Sequence, residues 1–551
     1  MDAAERWLAD FERALRAPDD ASLAKIFRAD AHWRDLLAFT WRVKTVSGAA
    51  AIVAELKRRA KEAGASGFEV DPGRTPPRSV VRAGESAIEA IFRFRTGRGR
   101  CAGVARLAPD GKCWTLLTSL EEMEGPAKKA RDRDPAVLIV GGGHAGLSIA
   151  ARLNALGVDA AIVDRHARVG DNWRKRYQAL TLHNRKNVNH FPYRPFPGDW
   201  PTYIPKDRLA DWLEDYARKL DLDFRTGTEV CGARYEGGRW TVDLKGEGGT
   251  LTLRPRHLVM ATGVSGTPRV PEIPGLSNFA GRVIHSHDYD DATKWKGRDA
   301  IVIGTGTSGH DIAQDLHSGG VRVTLVQRSP TLVLNIEPSA QLVYALYSEG
   351  PPLEDCDLLT AATPLALMRK AHRAWAEQSR AMDRELLDGL SRAGFRVDEK
   401  DETGWQFKYL QHGGGYYFNV GCSDLIVDGK IPVVQMRDIE GFVAKGAKTA
   451  SGVIPADLVV LATGYHGLDV LVRRLFGEAI ADRVGPVWGF DEDVQELRNM
   501  WTRTRQPGLW FIAGSFAQCR IYSKVLALQI RAVEEGLIPA SIGHADVEAV
   551  A

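Results

Sequence analysis

The sequence predicts an α/β protein with two Rossmann-like domains and, before them, a smaller α+β domain. Three observations carry this prediction. A β-branched strand followed by a glycine-rich turn and a helix occurs twice in the chain. The first 125 residues show helical periodicity followed by short strand-like runs. Between these regions, residues 126–135 are polar, charged and bounded by prolines, which predicts a linker.

The composition excludes several classes of protein. Hydrophobic residues make up 44% of the 551 residues, which excludes a disordered chain. The net charge of +3 does not indicate a nucleic-acid partner. The cysteines include no C-x-x-C pair and no H-E-x-x-H motif is present, so neither a disulfide framework nor a metal site is predicted. Since no apolar run could cross a membrane and no secretion signal is visible, we expect a cytoplasmic protein without a membrane partner.

The α+β domain is predicted over residues 1–125. A helix is expected over residues 3–16, where Trp7, Leu8, Phe11 and Leu15 recur at helical spacing. Further helices are expected near residues 23–27 and 52–56. Short strands are predicted at residues 90–95, 101–107 and 113–117, the last two joined by a turn at Pro109-Asp110-Gly111.

The first glycine-rich turn follows the strand at residues 136–140. Its three spaced glycines are Gly141, Gly143 and Gly146. The first permits a tight turn, the second permits close approach of a pyrophosphate, and the third permits close packing of the helix on the strand. Asp164, followed by Arg165, ends the next predicted strand, where a carboxylate accepts hydrogen bonds from ribose hydroxyls. The first site is therefore predicted to bind a dinucleotide with a free ribose.

The second glycine-rich turn follows the strand at residues 300–303. It contains Gly304, Gly306, Ser308 and Gly309. The position that matches Asp164 holds Gln327, and Arg328 follows it. A carboxylate there would repel a 2′-phosphate, whereas an arginine pairs with it, so the second site is predicted to bind NADP. The alternative is that Arg328 is an ordinary surface arginine.

Further segments resemble two-dinucleotide-binding-domain flavoproteins, and among them the flavin-containing monooxygenases, including the plant YUCCA type. Residues 279–289 are similar to the FxGxxxHxxxY signature of that family. Residues 169–173 resemble its Gly-Gly-x-Trp segment, although Asp171 stands where a second glycine is usual. Baeyer–Villiger monooxygenases carry tryptophan where Tyr289 stands, but the following Asp290 resembles them.

The resemblance implies a domain organisation. FAD would bind at the first site, and an NADPH-binding domain would be inserted into the FAD-binding domain. The FAD-binding domain would then comprise residues 136–268 and 450–551, and the NADPH-binding domain with a substrate-entrance insertion residues 269–449. The segments ending at Gly263 and Gly464 resemble the two Ala-Thr-Gly crossings between the domains.

The resemblance also implies roles for single residues. Trp173, His183 and Gln529 would contact FAD, and Thr463 would contact NADPH. Asn184 matches the active-site asparagine of the family, whose amide contacts the flavin and the peroxide. The alternative is that Asn184 merely closes a turn before Arg185.

The activity implied is that of an FAD- and NADPH-dependent monooxygenase. Such an enzyme forms a C4a-(hydro)peroxyflavin and transfers one oxygen atom from O₂ to a small organic substrate. The reaction would be N- or S-oxygenation or YUCCA-like oxidative decarboxylation of a 2-oxo acid. Two alternatives stay open: a Baeyer–Villiger monooxygenase acting on a ketone, and a non-oxygenating NADPH oxidase-like or accessory flavoprotein.

The N-terminal domain has a resemblance of its own. Residues 33–40, with Gly48 and Ile52, resemble the cone-shaped nuclear-transport-factor-2-like and SnoaL-like domains. The alternative is that Trp33, Asp35 and Thr40 serve core packing and capping. We expect this domain to cover the flavin domain or to mediate homodimerisation.

Overall fold

The computed structural model describes residues 3–16, 19–125 and 134–542. Most of the predicted linker, residues 126–133, lies outside these ranges. Within them, an N-terminal domain precedes two Rossmann-like domains, as the sequence predicts. None of the helices in these ranges combines the length and apolarity that a membrane-spanning segment needs.

The N-terminal domain is a seven-stranded sheet with helices packed against it. Its helices are Ala3–Arg16, Asp20–Ile26 and Ala49–Ala63. Its strands are Phe27–Leu36, Val43–Ser47, Ser66–Val70, Arg78–Arg82, Glu85–Thr96, Gly99–Leu107 and Cys113–Met123. The last three are the predicted strands in longer form. The other four strands were not predicted, and Phe27, expected in a helix, instead begins the strand Phe27–Leu36.

The core of this domain accounts for the motif around Trp33. The Trp33 indole donates to the Thr118 hydroxyl at 2.9 Å, and that hydroxyl donates to Asp35 at 2.6 Å. The Asp35 carboxylate also accepts from the Thr40 hydroxyl at 2.7 Å and from the Thr40 N–H at 2.8 Å. Burial nevertheless raises the pKa of Asp35. Core packing and capping therefore describe what these three residues do in the structure.

The first Rossmann-like domain has a parallel five-stranded sheet. In sheet order its strands are Asp223–Arg225, Ala160–Val163, Val137–Val140, His257–Met260 and Leu509–Phe511. Helices His144–Ala155, Asp171–Arg174, Lys206–Lys219, Leu468–Phe476, Glu478–Val484 and Phe516–Glu534 belong to the same domain. An antiparallel meander, Glu229–Glu236, Arg239–Gly246 and Gly249–Leu253, is appended to it.

The second Rossmann-like domain also has a parallel five-stranded sheet. In sheet order its strands are Arg282–His285, Leu458–Leu461, Asp299–Ile303, Arg322–Gln327 and Val433–Gln435. Helix Thr307–Ser318 and the meander Ile439–Val443, Gly446–Thr449 and Gly452–Pro455 complete it. Since Leu458–Leu461 lies inside this sheet, the boundary expected at residue 450 is wrong, and the chain returns to the first domain only after Leu461.

Two short strands mark the crossings between the domains. Thr267–Pro268, shortly after the first Ala-Thr-Gly segment, pairs antiparallel with Tyr465–His466, directly after the second. The crossings are therefore hydrogen-bonded to each other.

The insertion after Gln327 is mainly helical. Its strands Leu332–Asn335 and Tyr416–Asn419 pair in parallel. Its helices are the 3-10 segment Ser339–Ser348 and the α-helices Leu353–Ala361, Leu365–Met382, Arg384–Arg392, Gly404–His412 and Cys422–Val427.

The N-terminal domain packs on the first Rossmann-like domain and on the insertion. Its apolar core is continuous with side chains of helices Leu353–Ala361 and Phe516–Glu534. At the edge of this interface, Arg34 forms a two-fold ion pair with Glu496 through bonds of 2.7 and 2.6 Å. A third nitrogen contact of Arg34 reaches the Ala361 carbonyl at 2.8 Å. The N-terminal domain thus covers part of the first Rossmann-like domain, which is one of the two arrangements expected from the sequence.

The Arg34–Glu496 pair gives a stability prediction. Arg34→Met should lower the free energy of unfolding by about 3–5 kcal/mol, because it leaves Glu496 charged and unpaired at a buried interface. Urea denaturation followed by circular dichroism measures this loss.

A matched control is Arg93→Met. Arg93 and Glu69 form an exposed pair, with 51% and 58% of the side-chain surface accessible. Such pairs contribute at most about 1 kcal/mol. Equal effects of the two substitutions would show that the interface pair does not stabilise the domain packing.

Candidate active site between the two Rossmann-like domains

A single cleft of about 1380 Å³ lies between the two Rossmann-like domains. Pockets for one drug-sized ligand measure roughly 300–1,000 Å³, so this cleft has room for more than one ligand. Both glycine-rich turns, both Ala-Thr-Gly crossings and the segment around Asn184 line it. The parallel strands of both sheets end at this cleft, which is where ligands bind in open α/β sheets.

The first glycine-rich turn is fixed by close backbone contacts. Gly141 has a φ of +104°, and a Cβ there would lie 2.6 Å from the Ala261 carbonyl oxygen. A Cβ at Gly146 would lie 2.0 Å from the Gly141 carbonyl oxygen. Gly146 does not line the cleft; it allows helix His144–Ala155 to pack on its strand, which is the role predicted for the third glycine.

Gly143 has a different environment. A Cβ there would meet only the end of the Asn172 side chain, at 2.9 Å. Gly143 precedes helix His144–Ala155, and no side chain caps that helix. The helix N–H groups therefore face the cleft without a protein partner from a cap, an arrangement suited to a pyrophosphate.

Asp164 and Arg165 line the cleft beside this turn. The Asp164 carboxylate accepts from the Gly142 N–H at 2.6 Å and from the His166 N–H and ring at 2.8 and 2.7 Å. Although burial would raise the pKa of Asp164, these hydrogen bonds hold it below its ordinary value. A carboxylate offers about four acceptor positions, so capacity for a ribose hydroxyl remains.

The second turn repeats the backbone geometry of the first. Gly304 has a φ of +120°, and its Cβ would lie 2.2 Å from the Ala462 carbonyl oxygen. The Cβ of a residue at position 309 would lie 1.9 Å from the Gly304 carbonyl oxygen. A Cβ at Gly306 would have open space, since its nearest neighbour, the Tyr416 carbonyl oxygen, would lie 4.0 Å away. Gly306 and Ser308 both line the cleft.

Gln327 and Arg328 are neighbours in the chain but have different environments. Gln327 is fully buried, and its amide bonds to both the carbonyl and the N–H of Arg396. Arg328 is exposed and lines the cleft, and within the described part of the chain no ion pair holds it. Its guanidinium is therefore available to an anion.

Several buried polar atoms of the cleft wall lack a partner within the described residues. They are Trp173 Nε1, Asn189 Oδ1, Thr262 Oγ1 and Ser286 Oγ. Buried polar groups in folded proteins are nearly always hydrogen-bonded. These atoms, together with the two open glycine turns, fit a bound dinucleotide rich in hydrogen-bonding groups.

Asn184 lies in the cleft wall, and its amide donates to the Tyr344 hydroxyl at 3.1 Å. The Asn184 side chain therefore forms a hydrogen bond with the insertion and does not close a turn before Arg185. The Asn184 carbonyl accepts from the Asn189 amide at 3.0 Å, which fixes the loop that follows.

His183 belongs to a group that sequence reasoning missed. Its ring lies 3.8 Å from the carboxylate of Asp311, which also accepts from the Tyr177 hydroxyl at 2.5 Å. Burial raises the pKa of Asp311. Asp311 lies on the helix of the second domain, whereas His183 and Tyr177 belong to the first, so this group joins the domains beside the cleft. No spacing pattern in the sequence predicts this group, because its members come from distant segments.

One predicted contact, that of Gln529, is wrong, and that of Thr463 stays a prediction. Gln529 is fully buried and outside the cleft lining, and its amide nitrogen donates to the carbonyls of Trp501 and Val525. Its predicted contact with FAD is therefore wrong: the helix Phe516–Glu534 presents only its first turn to the cleft, where Gln518 lies. Thr463 does line the cleft, but its hydroxyl donates to the Arg269 carbonyl at 2.6 Å and ties the two crossings together.

The helix Phe516–Glu534 begins at the cleft, as the resemblance implies. Ser515 caps it, accepting from the Gln518 N–H, while the Gln518 side chain accepts from the Ser515 N–H. Trp173 and Phe516 both pack near His144, whose ring stacks on Phe516 at 4.3 Å. The positive end of this helix therefore faces the centre of the cleft.

Comparison with known proteins supports the same interpretation. The family model described as "Pyridine nucleotide-disulphide oxidoreductase" matches residues 138–345. The chain is 33% identical over 351 residues to an indole-3-pyruvate monooxygenase YUCCA1 of Oryza sativa subsp. japonica, covering 62% of this chain and 79% of that protein. It is 36% identical over 336 residues to a probable indole-3-pyruvate monooxygenase YUCCA9 of Arabidopsis thaliana, covering 60% and 74%.

Solved structures share the fold. A cyclohexanone monooxygenase structure in an open form has a TM-score of 0.57 at 19% identity, covering 76% of this chain and 91% of that one. A structure titled as OTEMO complex with FAD and NADP has a TM-score of 0.57 at 16% identity, covering 76% and 90%. These structures show the shared fold, and the sequence relatives show that the chain belongs to the flavin-containing monooxygenase family and is an NADPH-dependent oxidoreductase.

Proposed function

We propose that the protein uses FAD and NADPH to transfer one atom of O₂ to a small organic substrate. The observation that carries this proposal is the single cleft onto which both glycine-rich turns open, with Asn184 in its wall. Hydride transfer from NADPH to FAD requires the two cofactors to meet, and one shared cleft allows this.

The chain offers a distinct set of residues to each cofactor. FAD would be held by the Gly141–Gly143 turn, Asp164, Arg165, Trp173 and His183, and NADPH by Gly304, Gly306, Ser308 and Arg328. When bound, FAD supplies hydride acceptance from NADPH and the activation of O₂. The protein supplies position, exclusion of water and electrostatics.

Asn184 and Tyr344 provide hydrogen-bonding groups that do not titrate near neutral pH. An asparagine amide has no ionisable proton. Burial raises the pKa of Tyr344, so its hydroxyl also stays protonated. Neutral donors in a dry site can hold a reactive oxygen group without accelerating its loss as H₂O₂.

The reaction type is open among the chemistries of the family. The names of the YUCCA relatives specify indole-3-pyruvate, which makes oxidative decarboxylation of a 2-oxo acid one candidate. N- or S-oxygenation and Baeyer–Villiger oxygenation of a ketone are the others. A panel of amines, sulfides, ketones and 2-oxo acids, followed by NADPH consumption and product mass, distinguishes them. NADPH consumption that yields only H₂O₂ across the panel would instead indicate an oxidase.

For the N-terminal domain we infer an NTF2-like or SnoaL-like fold. The support is its seven-stranded sheet with three helices packed against it. Homodimerisation and cytoplasmic location stay predictions from the sequence.

Loss of the Asn184 amide should uncouple the enzyme. In Asn184→Leu we expect the rate of flavin reduction by NADPH to stay close to that of the wild type, because the amide does not hold the coenzyme. More H₂O₂ should form per NADPH, since oxygen transfer loses its positioned donor. Peroxide assays in steady state measure the ratio.

The control for this prediction is Asn187→Leu, the same change at an exposed position of the same loop, outside the cleft. It should leave coupling unchanged. If both variants couple as well as the wild type, Asn184 has no part in catalysis.

Gly143 gives a test of the FAD site. Gly143→Ala should yield folded protein with little bound flavin, because only the Asn172 side chain opposes the methyl group and the space beyond belongs to the pyrophosphate. Absorbance of the purified protein in the visible flavin band gives the amount of flavin per chain. Gly198→Ala, where no atom lies within 4 Å of the added Cβ, is the control. Full flavin content in Gly143→Ala would contradict the assignment.

Arg328 gives a test of coenzyme preference. Arg328→Ala should weaken NADPH binding by about 1.5–3 kcal/mol, the range for hydrogen bonds to charged groups, and leave NADH binding unchanged. The ratio of kcat/KM for the two coenzymes measures this change. Arg322→Ala, an exposed arginine of the preceding strand paired with Asp299, serves as the control. Equal losses for NADPH and NADH would show that Arg328 does not contact the 2′-phosphate.

A further inference from the structure

The insertion contributes an aromatic wall to the cleft beside Asn184. We call it the aromatic chamber; it consists of Tyr344, Trp405, Tyr409, Tyr416 and Phe418, all of which line the cleft. The Trp405 ring lies 5.9 Å from Tyr344, 5.5 Å from Tyr416 and 4.8 Å from Phe418. The chamber reaches Asn184 through the hydrogen bond to Tyr344.

Local structure places these rings together. Trp405 and Tyr409 lie four residues apart on helix Gly404–His412 and therefore share a face. Tyr416 and Phe418 are two residues apart on strand Tyr416–Asn419, so their side chains lie on the same face of it. The Trp405 indole donates to the Ala340 carbonyl at 3.1 Å, which fixes the helix against the 3-10 segment.

Two hydroxyls of the chamber are available to a ligand. The Tyr344 hydroxyl accepts from Asn184, but those of Tyr409 and Tyr416 have no hydrogen-bond partner among residues 3–16, 19–125 and 134–542. Burial raises the pKa of both, so they remain neutral donors. Hydroxyls in an apolar wall need partners, and a bound molecule can supply them.

The chamber carries no positive charge of its own. In the described part of the chain, no arginine lies over a ring of the chamber. Lys408, on the same helix, is paired with Asp398 at 2.7 Å. His183 borders the chamber, where its ring meets Phe418 edge-on at 5.8 Å, and Asp311 lies beyond it. An unpaired carboxylate placed here would lose its hydration without gaining a cation.

We propose that the aromatic chamber is the substrate subsite, that it binds an uncharged aryl compound whose polar group reaches the Tyr409 and Tyr416 hydroxyls, and that it discriminates against carboxylates, including 2-oxo acids. This inference rests on the proposed function, since it assigns a substrate class to the same cleft. Aromatic rings favour offset and edge-to-face contact with an aryl ligand, and the two phenols set its orientation.

Equilibrium binding to the oxidised holoenzyme tests the charge preference. Phenylacetamide and phenylacetate share a ring and a length and differ in charge, and their binding can be followed by tryptophan fluorescence. We expect the amide to bind at least about tenfold more tightly, since the carboxylate would be desolvated unpaired. Equal or tighter binding of phenylacetate would overturn the proposal.

Substitutions test the residues. Tyr409→Phe and Tyr416→Phe should each weaken phenylacetamide binding by about 2–10-fold, as expected for one hydrogen bond, and leave toluene binding unchanged. Gln406 lies in the cleft wall next to Tyr344. Gln406→Lys should bring a cation to the chamber and raise the affinity for phenylacetate. Unchanged amide binding in both tyrosine variants would remove the chamber as the subsite.

Flavin reduction by NADPH without substrate, measured in the same preparations, separates the two levels of the argument. Failure of reduction with the expected ligand preference would overturn the proposed function and leave the aryl subsite standing. Normal reduction with a preference for phenylacetate would overturn only the subsite.

Discussion

The close approach of each cleft helix to the strand before it is the constraint on which the rest of the structure depends. At Gly146 and Gly309 a side chain would lie 2.0 and 1.9 Å from the carbonyl of the first glycine of the same turn. Only glycine permits this contact, and only this contact directs the helix N–H groups toward the cleft. Since both domains obey it, their anion-binding helix ends meet in one space.

A second set of contacts holds the wall of that space. Arg520, on the helix that begins at the cleft, donates to the carbonyls of Val188 and His190 and pairs with Asp357 at 2.7 Å. These contacts join the loop after Asn184 to helix Leu353–Ala361. The N-terminal domain packs on the outer side of the same two helices. The N-terminal domain therefore packs behind the two helices that hold the loop after Asn184.

The electrostatic character of the cleft differs between its parts. Arginines and Asp164 belong to the regions around the glycine-rich turns, where charged phosphates and ribose hydroxyls would bind. The aromatic chamber has neutral hydroxyls and rings. This division follows from chain order: the turns belong to the Rossmann-like domains, and the chamber belongs to the insertion after Gln327.

The sequence by itself determined both glycine-rich turns, the parallel strands before them and the residues Asp164 and Arg328, because these features depend on local spacing and on backbone sterics. It also determined the family resemblance, through short contiguous motifs. Only the tertiary structure decided that Leu458–Leu461 belongs to the second sheet, that Gln529 points into the core, and that Asp311 meets Tyr177 and His183. Those outcomes depend on contacts between segments that are far apart in the chain. The local sequence pattern of a segment does not show which distant segment it will contact.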